Sequence, residues 1–337
     1  MTPPTAPVTG PAASESGVVL VTSRSFSSGS VDLTSRLTSL GLAVVRAPAD
    51  HDLAALQPVL ATAVAWIAGT GPVTAQHLAA APRLRVVARY GVGTDSVDLG
   101  AAAAAGIPVT NTPGANSEAV AEHAIALSFA VLRALPSGDR RVRAGDWGVT
   151  RGRQLAGSTV GVVGFGRIGR AVAARLSALG CTVLVHDPFV PDSVVRAAGH
   201  QVASLDQIRD DCSLVSLHVP GGDLLVDSAW VASCAPDQVL VNTARAGLVD
   251  ETAVAEGLRT GRLRGYAADT LSTESATDGA SALLADEFAD TVVLTPHLGA
   301  QTVEAVDLMG TMAVDNVLAV LAGDEPMHPV TLEGALR

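Results

Sequence analysis

Short apolar runs alternate along the chain with stretches whose apolar residues recur every three or four positions, the period of an amphipathic helix. Val31–Leu40 has this helical period in the first third of the chain. Four runs near it are short, apolar and rich in β-branched residues, as buried strands are: Val18–Thr22, Ala43–Arg46, Val64–Ala68 and Val86–Ala88. Strands that alternate with helices favour a parallel sheet with helices on both faces, so the pattern predicts an α/β fold.

Two long apolar stretches with helical character flank a second series of strand and helix patterns at 159–297. The first stretch covers 118–135, where Ser117 can cap the helix and Pro136 can end it. The second is Thr302–Leu321, which we expect to pack back on the first series. The expected domains are therefore 17–116 with 302–337, and 117–301 inserted between them. Residues 1–16 are rich in Pro, Ala, Ser and Thr and predict a disordered tail.

The first turn of the second series carries a glycine-rich motif. The apolar run Thr159–Val163 leads into Gly164-Phe-Gly166-Arg-Ile-Gly169, then into a helical pattern and a second apolar run that ends at Asp187. In a βαβ unit the three glycines allow a tight turn, a close approach to a pyrophosphate and close packing of helix on strand. An acid at Asp187 can accept both ribose hydroxyls and repels a 2′-phosphate. The motif predicts NAD rather than NADP, with a purely structural βαβ turn as the alternative.

Composition excludes several classes of function. The 337 residues are 48% apolar with a net charge of −11 and no basic stripe, which argues against nucleic acids and anionic membranes. No uninterrupted apolar run reaches the length of a membrane span, and the first residues lack the basic start of a signal peptide. The three cysteines, Cys181, Cys212 and Cys234, have no metal-ligand spacing, which favours a reducing, cytoplasmic setting without a metal site.

Lysine does not occur in the chain, so all 22 basic residues are arginines. This excludes Schiff-base chemistry, a phosphate-loop lysine and dehydrogenases that use a catalytic lysine. A zinc dehydrogenase would need a cluster of Cys and His ligands, which the sequence lacks. The group that transfers a proton is therefore expected among the eight histidines and the acids.

Three strand-like runs of the second series end in residues that suit oxidation of a 2-hydroxy acid. Such a reaction needs a carboxylate anchor, a base for the hydroxyl proton and a hydride acceptor. Arg245 follows the run 239–242 and can bind a carboxylate with two hydrogen bonds, while His297 follows the run 292–294 and can exchange a proton. Glu274 follows Asp269 by five residues and, as a partner of His297, would raise the pKa of the imidazole. Taken singly, a loop histidine such as His297 is more often a surface or capping residue, and Arg245 and Glu274 are most often solvated surface charges.

Together these motifs resemble the D-isomer-specific 2-hydroxyacid dehydrogenase family, in particular its phosphoglycerate dehydrogenase-like branch. The first half adds Arg89-Tyr-Gly-Val-Gly93 and Asn111–Ser117, which resemble the substrate loop and the hinge of that family. The resemblance implies a Rossmann cofactor domain inserted into a flavodoxin-like substrate domain, both doubly wound parallel sheets. It also implies a homodimer formed through the NAD-binding domain.

The resemblance assigns roles to individual residues. The implied catalytic residues are Arg245, Glu274 and His297. Asp269 would hold the nicotinamide amide, and backbone N–H groups at Val92 and Gly93 would bind the substrate carboxylate. The implied cofactor-binding residues are Gly164, Gly166, Arg167, Ile168, Gly169, Asp187, Val219, Pro220, Thr243, Ala244, Arg245, Asp269, His297 and Gly299. The implied substrate-binding residues are Arg24, Arg89, Val92, Gly93, Arg245 and His297.

The substrate stays open at this stage. The resemblance favours 3-phosphoglycerate or a similar anionic 2-hydroxy acid, but Ala68 stands where such enzymes often carry an arginine. Arg24 and Arg89 are the alternative candidates for a distal anionic group. Hydroxypyruvate, glyoxylate and a phosphonate analogue are the alternative substrates. An NAD-sensing, corepressor-like binding protein is the alternative of another class.

Overall fold

The structure is a computed structural model that describes residues 17–272 and 281–331. The chain divides into two compact units. Unit 1 comprises Met1–Asn116 and Thr302–Arg337, and unit 2 comprises Ser117–Gln301. Each unit is built around its own parallel sheet.

The strands and helices of the described residues follow one another in the alternation that the sequence predicts. The strands are β1 Val18–Val21, β2 Ala43–Arg46, β3 Ala63–Ala68, β4 Val86–Arg89, β5 Val109–Thr110, β6 Thr159–Val163, β7 Thr182–His186, β8 Gln201–Val202, β9 Leu214–Leu217, β10 Gln238–Asn242, β11 Leu263–Ala268 and β12 Val292–Leu294. The helices are α1 Leu33–Thr38, α2 Leu53–Leu60, α3 Ala75–Ala79, α4 Leu99–Ala104, α5 Ser117–Leu132, α6 Leu135–Arg143, α7 Arg167–Ala178, α8 Asp192–Ala197, α9 Leu205–Asp211, α10 Ser228–Ser233, α11 Glu251–Arg259 and α12 Val303–Ala322.

Unit 1 contains a five-stranded parallel sheet in the order β2-β1-β3-β4-β5. This is the flavodoxin-like order, so the predicted fold of this part of the chain is confirmed. All six residues of β3 are buried, because helices cover both faces of the sheet. The order changes direction between β1 and β3, and ligands of such sheets bind beside the carboxyl ends of the strands at this point.

The C-terminal helix α12 belongs to unit 1 and packs on β3, β4 and α1. Val306, Met309, Ala313 and Val317 form a buried stripe at helical spacing, and the Tyr90 hydroxyl donates a hydrogen bond of 2.7 Å to the Val306 carbonyl. By length and composition α12 could also cross a membrane, as could the bent pair α5 and α6. The buried stripe of α12 instead marks it as a core helix of unit 1.

Unit 2 contains a seven-stranded parallel sheet in the order β12-β11-β10-β9-β6-β7-β8. The first strand of the unit, β6, lies between β9 and β7, so the strand order reverses at β6 as in a Rossmann fold. The predicted Rossmann architecture is therefore confirmed. The carboxyl end of β6 is the place where this fold binds dinucleotides.

The prediction of a helix over 118–135 is wrong at its C-terminal end. The structure has two helices here, because Ala134 adopts a left-handed conformation with φ of 49° and interrupts the helix before Pro136 is reached. Pro136 lies in the first turn of α6, where its missing N–H costs nothing and its fixed φ suits a helix. The proline therefore starts the second helix instead of ending the first.

Candidate active site

Six parallel strands of unit 2 end side by side in one row. The aligned residues of this row are Leu294, Ala268, Asn242, Leu217, Val163 and His186. The polar residues of the candidate site follow this row by one to three positions along the chain. They are the glycine motif from Gly164, Asp187, Arg245, Asp269 and His297. The register of the sheet thus brings the polar residues of the candidate site in unit 2 to the same edge.

The glycine loop after β6 fits a pyrophosphate. Gly164 has φ of 95°, and a Cβ on it would lie 2.6 Å from the carbonyl oxygen of His218. A Cβ on Gly169 would overlap the carbonyl oxygen of Gly164, so glycine is required where α7 packs on β6. A Cβ on Gly166 would meet nothing within 4 Å. Gly166 is also the N-cap of α7 and has no side chain to accept the N–H groups of the first turn, which suits this helix start to an anion.

Asp187 connects the end of β7 to the glycine loop. Its Oδ2 accepts the N–H of Phe165 at 2.7 Å, and its Oδ1 accepts the N–H groups of Phe189 at 2.9 Å and Val190 at 3.2 Å. The carboxylate thus fixes two loops in addition to the ribose-binding role that the sequence predicts. Arg167 and Ile168 form the first turn of α7.

The end of β9 carries His218, Val219 and Pro220 beside the glycine loop. Burial lowers the pKa of His218 to about 3, so the imidazole is neutral and its Nε2 lies 2.8 Å from the hydroxyl of Ser216. Val219 is half-buried and Pro220 exposed, as residues that line a ligand site can be. Their predicted place near the adenine stays a prediction.

The loop that carries Arg245 is held by one buried side chain. Asn242 ends β10; its Oδ1 accepts the Ala244 N–H at 3.0 Å, and its Nδ2 donates to the Arg245 carbonyl at 2.8 Å. These two hydrogen bonds also hold Thr243, which lies between Asn242 and Ala244. Its buried hydroxyl has no hydrogen-bond partner among the described residues. The Arg245 side chain is half-buried and donates to the Ala244 carbonyl at 3.0 Å.

The loop that carries His297 is organised by Asp269. The carbonyl of Asp269 accepts the N–H of His297 at 3.0 Å, and its carboxylate accepts the N–H groups of Leu298 at 2.7 Å and Gly299 at 2.8 Å. His297 itself is exposed and has φ of 55°, a conformation that non-glycine residues rarely adopt and that is concentrated at functional sites. The predicted partner of this histidine, Glu274, lies outside the described residues.

His123 of α5 completes this cluster and was not predicted from the sequence. Its Nε2 lies 2.9 Å from the Thr295 hydroxyl and 3.2 Å from Asp269 Oδ1. Burial alone would raise the pKa of Asp269, but hydrogen bonds from His123, Thr295, Gly299 and Leu298 outweigh it and hold the pKa below its usual value. The signal that could have revealed His123 is an imidazole within an apolar helix that is otherwise suited to complete burial.

The substrate loop predicted in unit 1 has its carbonyls bound by other groups of unit 1. The carbonyls of three consecutive residues are bound: Gly91 by the Thr112 N–H, Val92 by Asn111 Nδ2 at 2.8 Å, and Gly93 by Arg89 Nε at 2.9 Å. Within the described residues, no hydrogen bond is donated by the N–H groups of Val92 and Gly93. Successive N–H groups of this kind form a concave site for an anion.

Arg89 has a structural task in unit 1. Its side chain is buried and donates to the carbonyls of Ala68 at 2.9 Å, Gly69 at 2.6 Å and Gly93 at 2.9 Å, and its predicted contact with substrate stays a prediction. The guanidinium therefore ties the ends of β3 and β4 together and shapes the loop. Arg24, which follows β1, is exposed and makes no hydrogen bond or ion pair with the described residues.

Comparison with known proteins identifies the family. The sequence profile of the NAD binding domain of the D-isomer specific 2-hydroxyacid dehydrogenases matches residues 125–299. These residues lie within unit 2. The chain belongs to the D-isomer specific 2-hydroxyacid dehydrogenase family. The resemblance drawn from the motifs is thereby confirmed, and the cofactor of this domain is NAD.

Two curated relatives of this chain carry the same name. The chain is 40% identical over 269 residues to a D-3-phosphoglycerate dehydrogenase of Mycobacterium leprae. The aligned segment covers 78% of this chain and 50% of that protein. It spans about half the length of that relative. An enzyme of the same name from Methanocaldococcus jannaschii is 35% identical over 260 residues, which covers 75% of this chain and 48% of that one.

Solved structures of the family share both units. The TT0316 protein from Thermus thermophilus is 34% identical, with a TM-score of 0.82 over 93% of this chain and 100% of that one. An NADPH-dependent glyoxylate/hydroxypyruvate reductase from Sinorhizobium meliloti is 30% identical, with a TM-score of 0.81 over 94% of this chain and 98% of that one. The proteins similar to this chain therefore differ by name in both substrate and nicotinamide cofactor.

Proposed function

We propose that the protein is an NAD-dependent oxidoreductase that interconverts a small D-2-hydroxy acid and the matching 2-oxo acid. The observation that carries this proposal is the row of strand ends in unit 2. Arg245, Asp269 and His297 follow three neighbouring strands of that row, and a buried carboxylate fixes the loop that bears the histidine. We further propose that unit 1 binds the substrate and that unit 2 binds NAD.

Each residue has a defined task in the proposed oxidation. In unit 2 the guanidinium of Arg245 binds the substrate carboxylate, which orients C2. In unit 1 the N–H groups of Val92 and Gly93 are proposed to form an anion site. The imidazole of His297 accepts the proton of the C2 hydroxyl, and in the reverse direction it returns that proton to the carbonyl oxygen. The nicotinamide, when bound, accepts the hydride from C2. Glu274 is proposed to stabilise the imidazolium that forms.

The proposed substrate is 3-phosphoglycerate or a 2-hydroxy acid with a similar distal anion. The identity to enzymes named D-3-phosphoglycerate dehydrogenase supports this choice. In unit 1 Arg24 follows β1 at the point where the strand order reverses, and its exposed guanidinium is suited to a phosphate. Glyoxylate and hydroxypyruvate are the second candidates, because Ala68 occupies the place of a family arginine and the S. meliloti reductase is 30% identical.

A panel of 2-oxo acids tests the activity and the substrate together. The purified protein is mixed with NADH and 3-phosphohydroxypyruvate, hydroxypyruvate, glyoxylate or pyruvate, and the loss of NADH is followed. We expect the highest kcat/KM with the phosphorylated acid. Arg24→Gln should raise KM for that acid and leave KM for glyoxylate unchanged. Arg83→Gln, which removes an exposed charge of unit 1 before β4, is the matched control.

Two results would redirect the proposal. Equal kcat/KM with and without the distal phosphate excludes the distal anion site and leaves the dehydrogenase assignment intact. NADH binding without turnover of any 2-oxo acid contradicts the dehydrogenase and favours the NAD-sensing, corepressor-like protein.

We propose in addition that two copies of the chain associate through unit 2. Apolar side chains are unusually exposed in and after α6: Leu135 is 56% exposed, Val142 47%, Trp147 79% and Val149 96%. An exposed apolar patch of this kind marks an interaction site. The resemblance to a dimeric family indicates a second copy of this chain as the occupant.

A further inference from the structure

We infer that His123 is a positioning residue for the imidazole of His297, which it holds in place through Asp269 and Thr295. The inference rests on the proposed role of His297 as the acid/base group and extends it to a residue of α5. His123 does not touch the reacting atoms in this proposal. It fixes the carboxylate that fixes the histidine loop.

Asp269 holds the backbone at His297 and at the two residues that follow it. The Asp269 carbonyl accepts the N–H of His297 itself, and its carboxylate accepts the next two N–H groups, those of Leu298 and Gly299. A Cβ on Gly299 would lie 2.9 Å from Asp269 Oδ2, so the loop approaches the carboxylate as closely as a glycine permits. Any rotation of the Asp269 side chain therefore moves the backbone that follows His297.

The side chains of Thr295 and His123 prevent the Asp269 side chain from rotating. The Thr295 hydroxyl lies 2.6 Å from Asp269 Oδ1 and donates its proton to the carboxylate. Its remaining lone pairs face Nε2 of His123 at 2.9 Å, which requires that Nε2 carries a proton and donates it. The same Nε2–H points to Asp269 Oδ1 at 3.2 Å. Oδ1 thus receives hydrogen bonds from Leu298, Thr295 and His123.

Burial of Asp269 and His123 makes these hydrogen bonds necessary for the position of the loop. The side chain of Asp269 is 4% exposed and that of His123 is 19% exposed. A buried carboxylate that loses a donor cannot replace it with bulk water, so the side chain or its loop rearranges. The left-handed backbone of His297 has no intrinsic preference that would hold the loop once these hydrogen bonds are lost.

Four variants test the proposal in the full-length protein. His123→Leu removes the donor at similar size, and His123→Gln returns an N–H donor near the position of Nε2. Thr295→Val removes the bridging hydroxyl without changing the shape of the side chain. Ser128→Ala is the matched control, because it removes a hydrogen bond of the same buried helix to the Ala124 carbonyl and lies outside the cluster.

The first readout separates kcat from KM. Because a small displacement of an acid/base group slows proton transfer, we expect His123→Leu to lower kcat by about tenfold, with a smaller change in the KM for NADH. His123→Gln should recover most of kcat. Thr295→Val should lower kcat as well. In the double variant His123→Leu/Thr295→Val, the fold loss of kcat should be smaller than the product of the two single losses, because both side chains donate to Asp269 Oδ1. Ser128→Ala should keep wild-type kcat.

The second readout is independent of activity. Hydrogen exchange at the amides of Leu298 and Gly299 should be about tenfold faster in His123→Leu than in the wild type and should return to the wild-type rate in His123→Gln. Wild-type kcat and wild-type exchange in His123→Leu would overturn the positioning role. So would a loss of kcat of the same size in Ser128→Ala, which would indicate a general effect of disturbing α5.

The two proposals fail in different ways. If the wild-type protein turns over no 2-oxo acid, the proposed function fails, and the exchange rates alone decide whether His123 holds the loop. If the wild type is active and the exchange rates of Leu298 and Gly299 do not respond to His123→Leu, the positioning role fails and the dehydrogenase stands.

Discussion

The exposed imidazole of His297 combines a left-handed backbone with a loop fixed from beneath by a buried carboxylate. We predict that His297→Ala lowers kcat by roughly two to four orders of magnitude, the usual contribution of a positioned acid/base. His297→Asn is the sharper variant, because asparagine tolerates φ of 55° and preserves the loop while it cannot transfer the proton. Both variants should still bind NADH, measured by fluorescence titration, so that the loss of kcat is not a loss of the cofactor. Full kcat in His297→Asn would contradict the role.

Asp187 has two tasks in the structure, and two substitutions separate them. Asp187→Asn keeps an acceptor for the Phe165 N–H but removes the charge that repels a 2′-phosphate. We predict that it raises kcat/KM with NADPH relative to NADH and changes KM for NADH little. Asp187→Ala removes the acceptor as well and should weaken both cofactors. Kinetics with both cofactors check this, and comparable kcat/KM for NADPH and NADH in the wild type would sink the prediction.

A third residue-scale prediction concerns His51 in unit 1. Its side chain is buried against Trp66, with ring centroids 5.0 Å apart, and burial lowers its pKa from 6.5 to about 4. Between these values the unfolded chain binds the proton and the folded chain does not, so the free energy of unfolding falls as the pH falls through this window. The loss amounts to about 2 kcal/mol between about pH 7.5 and about pH 5.

His51→Asn tests this pH dependence. Asparagine tolerates the φ of 59° at this position and does not titrate. Urea unfolding of both proteins at the two pH values should show the additional loss in the wild type only. Equal losses in the two proteins would mean that His51 is already protonated in the folded chain or never becomes protonated in the unfolded one.

At the scale of elements, the turn from β6 into α7 shows how one motif serves both folding and binding. A Cβ on Gly169 has no room beside the backbone of Gly164, so Gly169→Ala should destabilise unit 2 by roughly 1 to 3 kcal/mol. A Cβ on Gly166 meets no protein atom within 4 Å. Gly166→Ala should therefore keep the wild-type Tm and lose affinity for NADH. Thermal melts and NADH titrations distinguish the two variants, and loss of Tm in Gly166→Ala would contradict the assignment.

The elements also show what a sequence pattern can and cannot predict. Strands such as β1, β6 and β10 follow from short β-branched runs, since burial on both faces leaves a continuous apolar signal, whereas β11 contains no β-branched residue. The helix break at Ala134 could not be predicted, because nothing in an alanine indicates a left-handed conformation. The hydrogen bonds of Arg89 to carbonyls of β3 and its following loop could not be predicted for a similar reason. Whether a guanidinium meets a ligand or the carbonyls of Ala68 and Gly69 depends on backbone that is distant along the chain.

At the scale of the whole molecule, the exposed apolar segment after α6 predicts an association of two copies. We expect light scattering of the wild-type protein at micromolar concentration to give the mass of a dimer. The double variant Trp147→Ser/Val149→Ser should be a monomer with an unchanged fold, because these side chains are 79% and 96% exposed and support no core. Met327→Ser, which removes a 60% exposed side chain of unit 1, is the control that should remain dimeric. A monomeric wild type would exclude the proposed association.

The order of the segments in unit 1 has a consequence for synthesis on the ribosome. Leu33 and Tyr90 emerge early, yet the helix that packs on them, α12, is translated only after all of Ser117–Gln301. At typical rates of translation this delay lasts roughly 10 to 40 s, during which the apolar face that awaits α12 is uncovered. Unit 2 is continuous in sequence and is complete once Gln301 has left the ribosome. A released chain that ends at Gln301 should therefore bind nicotinamide dinucleotide while its earlier half still recruits chaperones.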